Sequence, residues 1–303
     1  MLGWPLLLAA GCERRLAAAT TSPAADASAE EQAFQFDPRF FSPKRPPGPH
    51  DWLASHPERE QTFFSYVRAQ PVRPTERRRT LVLQPLGPLG LRDRRVLTAM
   101  MEFARLYFAC PVRVAEPLPL SLAGARSAGL GSPVQYLTGT LLHRVLAPRL
   151  PDDALAYLGV TMADLYPGPG WNFVFGQGSF ANRIGVYSLV RYTPEFWGER
   201  DTAAARLALV ARSCKVLAHE TGHMLSMRHC TRYECLMNGA NNLGELDRSP
   251  IWLCPVCLRK LHFSLGFEVV ERYRKLGRFF RSSGFSEWAS WADARVTALH
   301  PAT

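Results

Sequence analysis

HETGHMLSMRHC, residues 219–230, is the stretch that decides how this chain folds and what it does. His219 and His223 are four residues apart, so on a helix both project from one face and can bind a single ion through imidazole nitrogen. Glu220 lies beside them, placed to take a proton from a water that the ion activates. Alone, the spacing is modest evidence. With 8 histidines in the chain, H-E-x-x-H arises by chance in roughly one chain in a hundred. His229 changes the weight of it, because a third imidazole six residues past His223 completes a three-nitrogen set once the helix stops and the chain turns back. Three nitrogens leave a fourth, open position, the catalytic arrangement of zinc; such an ion brings the pKa of water to about 7. Met237, downstream, is placed to form an apolar floor under the three rings.

Outward from this core, the cysteines form a second pattern. Cys230 and Cys235 are spaced C-x4-C, and Cys254 and Cys257 form C-P-V-C. Two close pairs suit a closed four-thiolate zinc site, which is structural. Four unrelated buried thiols, or a pair of disulfides, are the other arrangements these cysteines allow, and disulfides need an oxidising compartment. Four clustered cysteines among seven point instead to a reducing one, so an intracellular location, cytoplasmic or nuclear, is expected. Because the cluster starts at the residue after His229, the structural ion is expected to fix the loop that carries the third histidine.

The segment before the motif, 203–225, reads as one long helix. Further upstream, TLVLQPL (80–86), PVRVAEPL (111–118), ALAYLGVT (154–161), WNFVFG (171–176) and IGVYSLVRY (184–192) read as strands, with helices expected over 92–108 and Val134–Leu146, the latter started by Pro133. Strands alternating with helices give an α/β layered sheet. An exposed edge strand, WNFVF or VYSLVRY, is the expected partner for an extended peptide. Tyr192 and Arg191 are candidates for oxyanion stabilisation with a plain surface role as the simpler reading, and Asp164 and Tyr166 read as turn and packing residues. FEVVERYRKLGRFF (267–280) reads as a basic amphipathic helix packed on the core.

The chain has 303 residues, 47% hydrophobic and 20% charged, with a formal net charge of +10. That is enough apolar material for a sizeable core and excludes global disorder. No run of about 18 apolar residues suggests a membrane span. The basic excess permits acidic partners, but Arg77–Arg79 reads as a solvated face, and no aromatic stacking pattern of a nucleic-acid-binding sheet follows it. Residues 1–33 are expected to be a disordered tail, 34–79 a Pro/Arg-rich irregular arm anchored by Phe and Trp, 80–285 the catalytic domain and 286–303 a C-terminal tail. A monomer acting on peptides is expected.

HETGHMLSMRHC, followed by Cys235-Leu-Met237 and CPVC, resembles the signature of the archaemetzincins, metzincin-clan zinc metallopeptidases. VTMADLYPGPGWNFVFGQ and LCPVCLRKLHFSLGFEVVERY are similar to the vertebrate members, and the likeness spans roughly residues 80–280. It implies a zincin-like (metzincin) α/β domain with a mixed twisted sheet, a long active-site helix and a four-cysteine zinc subsite. It implies two Zn2+ per chain: a catalytic ion on His219, His223 and His229, with Glu220 as general base and Met237 as the Met-turn methionine, and a structural ion on Cys230, Cys235, Cys254 and Cys257. It also implies peptide-bond hydrolysis, of aminopeptidase type on short peptides. One departure stands out. The family carries glycine where this chain has Ser226, at a turn expected to need positive φ, which costs a non-glycine residue about 1–2 kcal/mol. That substitution motivates the other reading, a catalytically weak or inactive zinc-binding interaction protein that keeps the fold. The segment YTPEFWGERDTA (192–203) is short for the family.

Overall fold

The structure, a computed structural model, describes residues 29–120, 125–127 and 134–299. Most of the expected N-terminal tail, Cys12 and Pro133 lie outside the described residues. A five-stranded sheet has the order β2-β1-β5-β8-β7. Its strands are β1 (Thr80–Leu86), β2 (Val112–Val114), β5 (Ala154–Thr161), β7 (Gly176–Gly178) and β8 (Ile184–Ser188). All pair in parallel except β7, which runs antiparallel to β8. β5 is buried at all eight positions, as a strand covered on both faces must be, and it therefore reads as a near-continuous apolar run. A smaller sheet, β3-β4-β6, joins β3 (Ala125–Ser127), β4 (Val134–Leu137) and β6 (Asp164–Tyr166).

Helix α3 (Leu91–Tyr107) buries Val96, Met100, Phe103, Ala104 and Tyr107, the stripe its spacing predicts, and packs beside the long helix α4 (Ala203–Met224). α4 starts at Thr202, whose hydroxyl accepts from the Ala205 amide, an N-cap that satisfies one orphan donor. After it come α5 (Leu243–Arg248), α6 (Pro255–Leu265), α7 (Val269–Ser282) and α8 (Ser286–Leu299). The arm holds two short helices, α1 (Trp52–Ser55) and α2 (Phe63–Arg68), in otherwise irregular chain. No helix among the described residues is long and apolar enough to cross a membrane.

Three expectations are corrected. Val134–Leu137 is a strand, and the helical stretch begins only at Thr138, running through a π segment to Arg149; the pairing of Gln135 and Leu137 with β6 overrides the helical spacing. Residues 286–299 are not a tail but α8, which packs along α7 and buries Ala289, Ala292 and Leu299. Its buried positions mix two alanines and Leu299 with a charged residue, Arg295, so the stripe is faint in sequence; Trp291 stacks on Trp252 at 4.3 Å. Residues 29–33, inside the expected tail, are helical, and Ala29 and Ala33 are buried.

Candidate metal centre and active-site cleft

α4 runs helically through His223 and ends at Met224, so His219 and His223 share a face, their ring centroids 4.5 Å apart. The chain then reverses. Ser226 takes φ +68°, the left-handed conformation expected at this position, and its amide donates to the His223 carbonyl at 2.8 Å while the Met227 amide donates to Gly222. The serine is well held. Its hydroxyl donates to the Phe180 carbonyl (2.9 Å) and accepts from the Val72 amide (3.2 Å). The turn brings His229 to 5.2 Å from His219 and 4.9 Å from His223, centroid to centroid, and one nitrogen from each of the three rings lies within 4.8 Å of the others.

Each ring is oriented by an oxygen at its Nδ1. His219 meets the Leu236 carbonyl at 3.0 Å, His223 the Met227 carbonyl at 2.7 Å, and His229 the Glu58 carboxylate at 2.8 Å. With Nδ1–H donated outward, each Nε2 keeps its lone pair for a cation. Burial, and then the neighbouring imidazole of His229, push His219 down to about 3; burial with both neighbouring rings holds His223 well below its ordinary value. Both rings are thus neutral, as ligation requires. Glu220 is buried, and burial pushes its carboxyl up to about 8 against a hydrogen bond from the Gly178 amide. Its Oε2 has no hydrogen-bond partner. A buried orphan oxygen next to three converging lone pairs is what a site for a cation and its water looks like.

Gly176 and Gly178 of β7 make room for this carboxylate. A Cβ on Gly176 lies 2.8 Å from Glu220 Oε1, and one on Gly178 lies 2.8 Å from the Glu220 carbonyl. β7 is an edge of the five-stranded sheet and lines the cleft. The expected edge is thereby corrected: VYSLVRY contributes β8, which is paired on both sides, and 171–175 leads into β7 without being a strand itself. A cavity of about 320 Å³ contains the three histidines and Glu220, between walls that include Trp52, Trp171, Phe175 and Phe180.

The four cysteines come together as the second cluster. All four are free and buried, with one sulfur of each within 4.8 Å of the rest. Cys230 and Cys254 are 3.7 Å apart, close to the edge of about 3.8 Å that a tetrahedron of 2.3 Å zinc–sulfur bonds requires. Hydrogen bonds from Cys235, Cys254 and Cys257 hold the Cys230 thiol well below its ordinary value, while burial first of all pushes Cys235 and Cys254 well above theirs. The donor set fits a structural zinc, since only a cation would let all four ionise there. The cluster is tied to the histidines: Cys230 donates its amide to Met237 O at 2.7 Å, Asn238 donates to Cys230 O, and Leu236, between Cys235 and Met237, supplies the oxygen that orients His219. Met237 is buried beneath Gly222.

Arg191 is committed to a carboxylate, and the Tyr192 hydroxyl is buried without a hydrogen-bond partner. Arg191 forms a bidentate pair with the fully buried Asp164 carboxylate, both contacts at 2.7 Å, and lies over the Phe173 ring. Tyr192 is buried, outside the cleft lining. Asp164 and Tyr166 are packing residues, as expected, but Asp164 does more than turn the chain: with Gln135 it anchors the loop that forms the cleft wall. Sequence reading missed Glu58, Trp52 and Gln61, which lie more than 150 residues from the turn at Ser226–His229 that they touch and carry no motif.

The chain is similar to known proteins. The description Peptidase family M54 matches residues 133–263. Archaemetzincin-2 of Macaca fascicularis is 36% identical over 286 residues, which cover 84% of this chain and 79% of that protein. Archaemetzincin-2 of Homo sapiens is 34% identical over 278 residues, 82% of this chain and 77% of that one. The crystal structure of archaemetzincin from Methanopyrus kandleri superposes with a TM-score of 0.50 at 27% identity, covering 64% of this chain and 99% of that chain.

Proposed function

The chain belongs to the archaemetzincins, peptidase family M54, and is a zinc metallopeptidase; from that premise we propose that His219, His223 and His229 hold the catalytic ion, that Glu220 is the general base, and that short peptides are cut from the amino-terminal end. The observation that carries the reading is the convergence of three outward-tied imidazoles on one point, with the unpartnered Glu220 Oε2 in the same cavity. Cys230, Cys235, Cys254 and Cys257 would hold a second, structural ion.

Bound to the three rings, zinc supplies a Lewis acid that polarises the scissile carbonyl and acidifies water. The chain's own groups do the rest. Glu220, whose ionised form a facing cation would favour, accepts the water's proton at its carboxylate as the water attacks, then passes it to the departing amine nitrogen. The β7 edge offers backbone hydrogen bonds to an extended substrate, which grip the main chain whatever its side chains. Trp52 and Trp171, their ring centroids 6.4 Å apart, narrow the rim of the cleft and favour a short peptide over a long chain lying across it. Residues 34–79 then belong with the catalytic unit rather than beside it.

The test is Glu220→Gln assayed on short peptides with free and with blocked amino termini. Hydrolysis is expected to fall by about 10²–10⁴-fold with zinc content unchanged, and the blocked peptides to be poor substrates of the parent protein. Undiminished turnover by Glu220→Gln rules out the proposed base; equal turnover of blocked peptides rules out the aminopeptidase reading alone.

A further inference from the structure

Two of the three imidazoles are oriented by carbonyls close by in the motif region, Leu236 and Met227. The third is different. His229 Nδ1 is tied to a side chain, the Glu58 carboxylate, which reaches it from 171 residues upstream. That carboxylate is itself fixed: Trp52 Nε1 donates to the same Oε1 at 2.6 Å, and the Trp52 indole sits edge-on to the His229 ring at 5.0 Å. The neighbouring arm residues grip the rest of the turn. Gln61 donates its amide to the Ser226 carbonyl (3.0 Å) and accepts from the Arg228 amide (2.9 Å). The fully buried Lys260 donates to Gln61 and holds it in place. Tyr66 donates to Leu225 O at 2.8 Å, and the Val72 amide donates to Ser226 Oγ. Leu225, Ser226, Arg228 and His229 are thus each hydrogen-bonded by one strap of the arm, residues 58–72.

We propose that this strap is a working part of the catalytic metal site, with Glu58 as the positioning residue that sets the tautomer and direction of His229. The inference rests on the three-histidine reading above. A carboxylate at Nδ1 makes the imidazole a stronger ligand than a carbonyl does and fixes Nε2 as the metal-facing nitrogen, and loss of such a partner weakens metal binding by about 10- to 100-fold. The turn departs from glycine at Ser226, where the backbone itself resists the left-handed conformation; the strap supplies, from outside, hydrogen bonds that keep it there.

The experiment is chelator competition on the full-length zinc protein, comparing the parent with Glu58→Gln and Glu58→Asp. It is repeated with Co2+, whose thiolate charge-transfer and histidine-site d–d bands distinguish the two centres. Glu58→Gln is isosteric, and the ion on the four cysteines reports that the fold is intact. The expected result is a 10- to 100-fold easier loss of one ion of two in Glu58→Gln, with shifted d–d bands and unchanged thiolate bands, and a smaller loss in Glu58→Asp, which keeps the charge. Equal retention and identical d–d bands in all three proteins would overturn the role of Glu58 while leaving the three-histidine site standing. A parent protein whose one zinc sits on the thiolates would overturn both.

Discussion

The sulfur of Met237 packs against the bare Cα of Gly222, so closely that a Cβ built there lies 2.6 Å from Sδ. Gly222 is the residue before the second histidine, so the methionine is a wedge under the helical turn that presents the pair. Gly222→Ala sets two effects against each other. Alanine in a helix interior gains about 0.8–1.0 kcal/mol over glycine, but overpacking a buried contact costs about 1–3 kcal/mol. The clash is expected to win, with a variant less stable in urea titration and quicker to release one ion. A more stable variant with full zinc would mean that Met237 moves aside freely and supports nothing.

Ser226→Gly should be close to neutral. Glycine relieves about 1–2 kcal/mol of left-handed strain, while the hydroxyl's bonds to Phe180 and Val72 contribute about 0.5–1.5 kcal/mol each. Denaturant unfolding of the two proteins is expected to agree within about 1 kcal/mol, and peptidase rates within a few-fold. Ser226→Val, which loses both bonds and adds a β-branch at positive φ, should be clearly less stable. A large activity gain in Ser226→Gly would show that the serine had been holding His229 out of place.

The two candidate metal clusters were legible because they depend on local spacing: i, i+4 on a helix for His219 and His223, and paired cysteines close in sequence. Helix α4 and strands β1 and β5 were legible from local sequence too, the strands as near-continuous apolar runs. What escaped was set by distant pairing. Val134–Leu137 has helical spacing but is claimed by β6, and Arg191 looks like a surface residue until Asp164 is folded against it. Glu58 has no pattern at all, since its partner is 171 residues away. Helix α8 was hidden because its buried stripe pairs alanines with a charged residue, Arg295, and is weak in hydropathy although it packs closely.

Asp164→Asn tests the anchor of the cleft wall. The Asp164 side chain is 0% exposed and Arg191 13%, so removing the negative charge leaves a guanidinium uncompensated in a dry site, a loss of about 3–5 kcal/mol. Because Gln135, bound to Asp164, also holds the Asn172 carbonyl, the loop carrying Trp171 and Phe173 should loosen. Lower stability together with a raised KM is expected. A raised KM without loss of stability would contradict the structural role and return Arg191 to the list of substrate-binding groups.

Cys254→Ser should damage both centres unequally. It breaks the thiolate set outright, and since folding energy and metal binding are coupled in such sites, a loss of several kcal/mol follows. The knot also carries Leu236 O, which orients His219, so activity should fall even at temperatures where the variant remains folded. Full activity with only the thiolate-bound ion missing would show that the two centres are independent.

Zinc quantification on extensively dialysed protein, with a His219→Ala/His223→Ala double variant alongside, tests the central claim most directly. Two ions per chain in the parent and one in the variant are predicted. One ion in each would mean that the three imidazoles do not hold a metal, and the peptide-cutting mechanism drawn around them would be wrong.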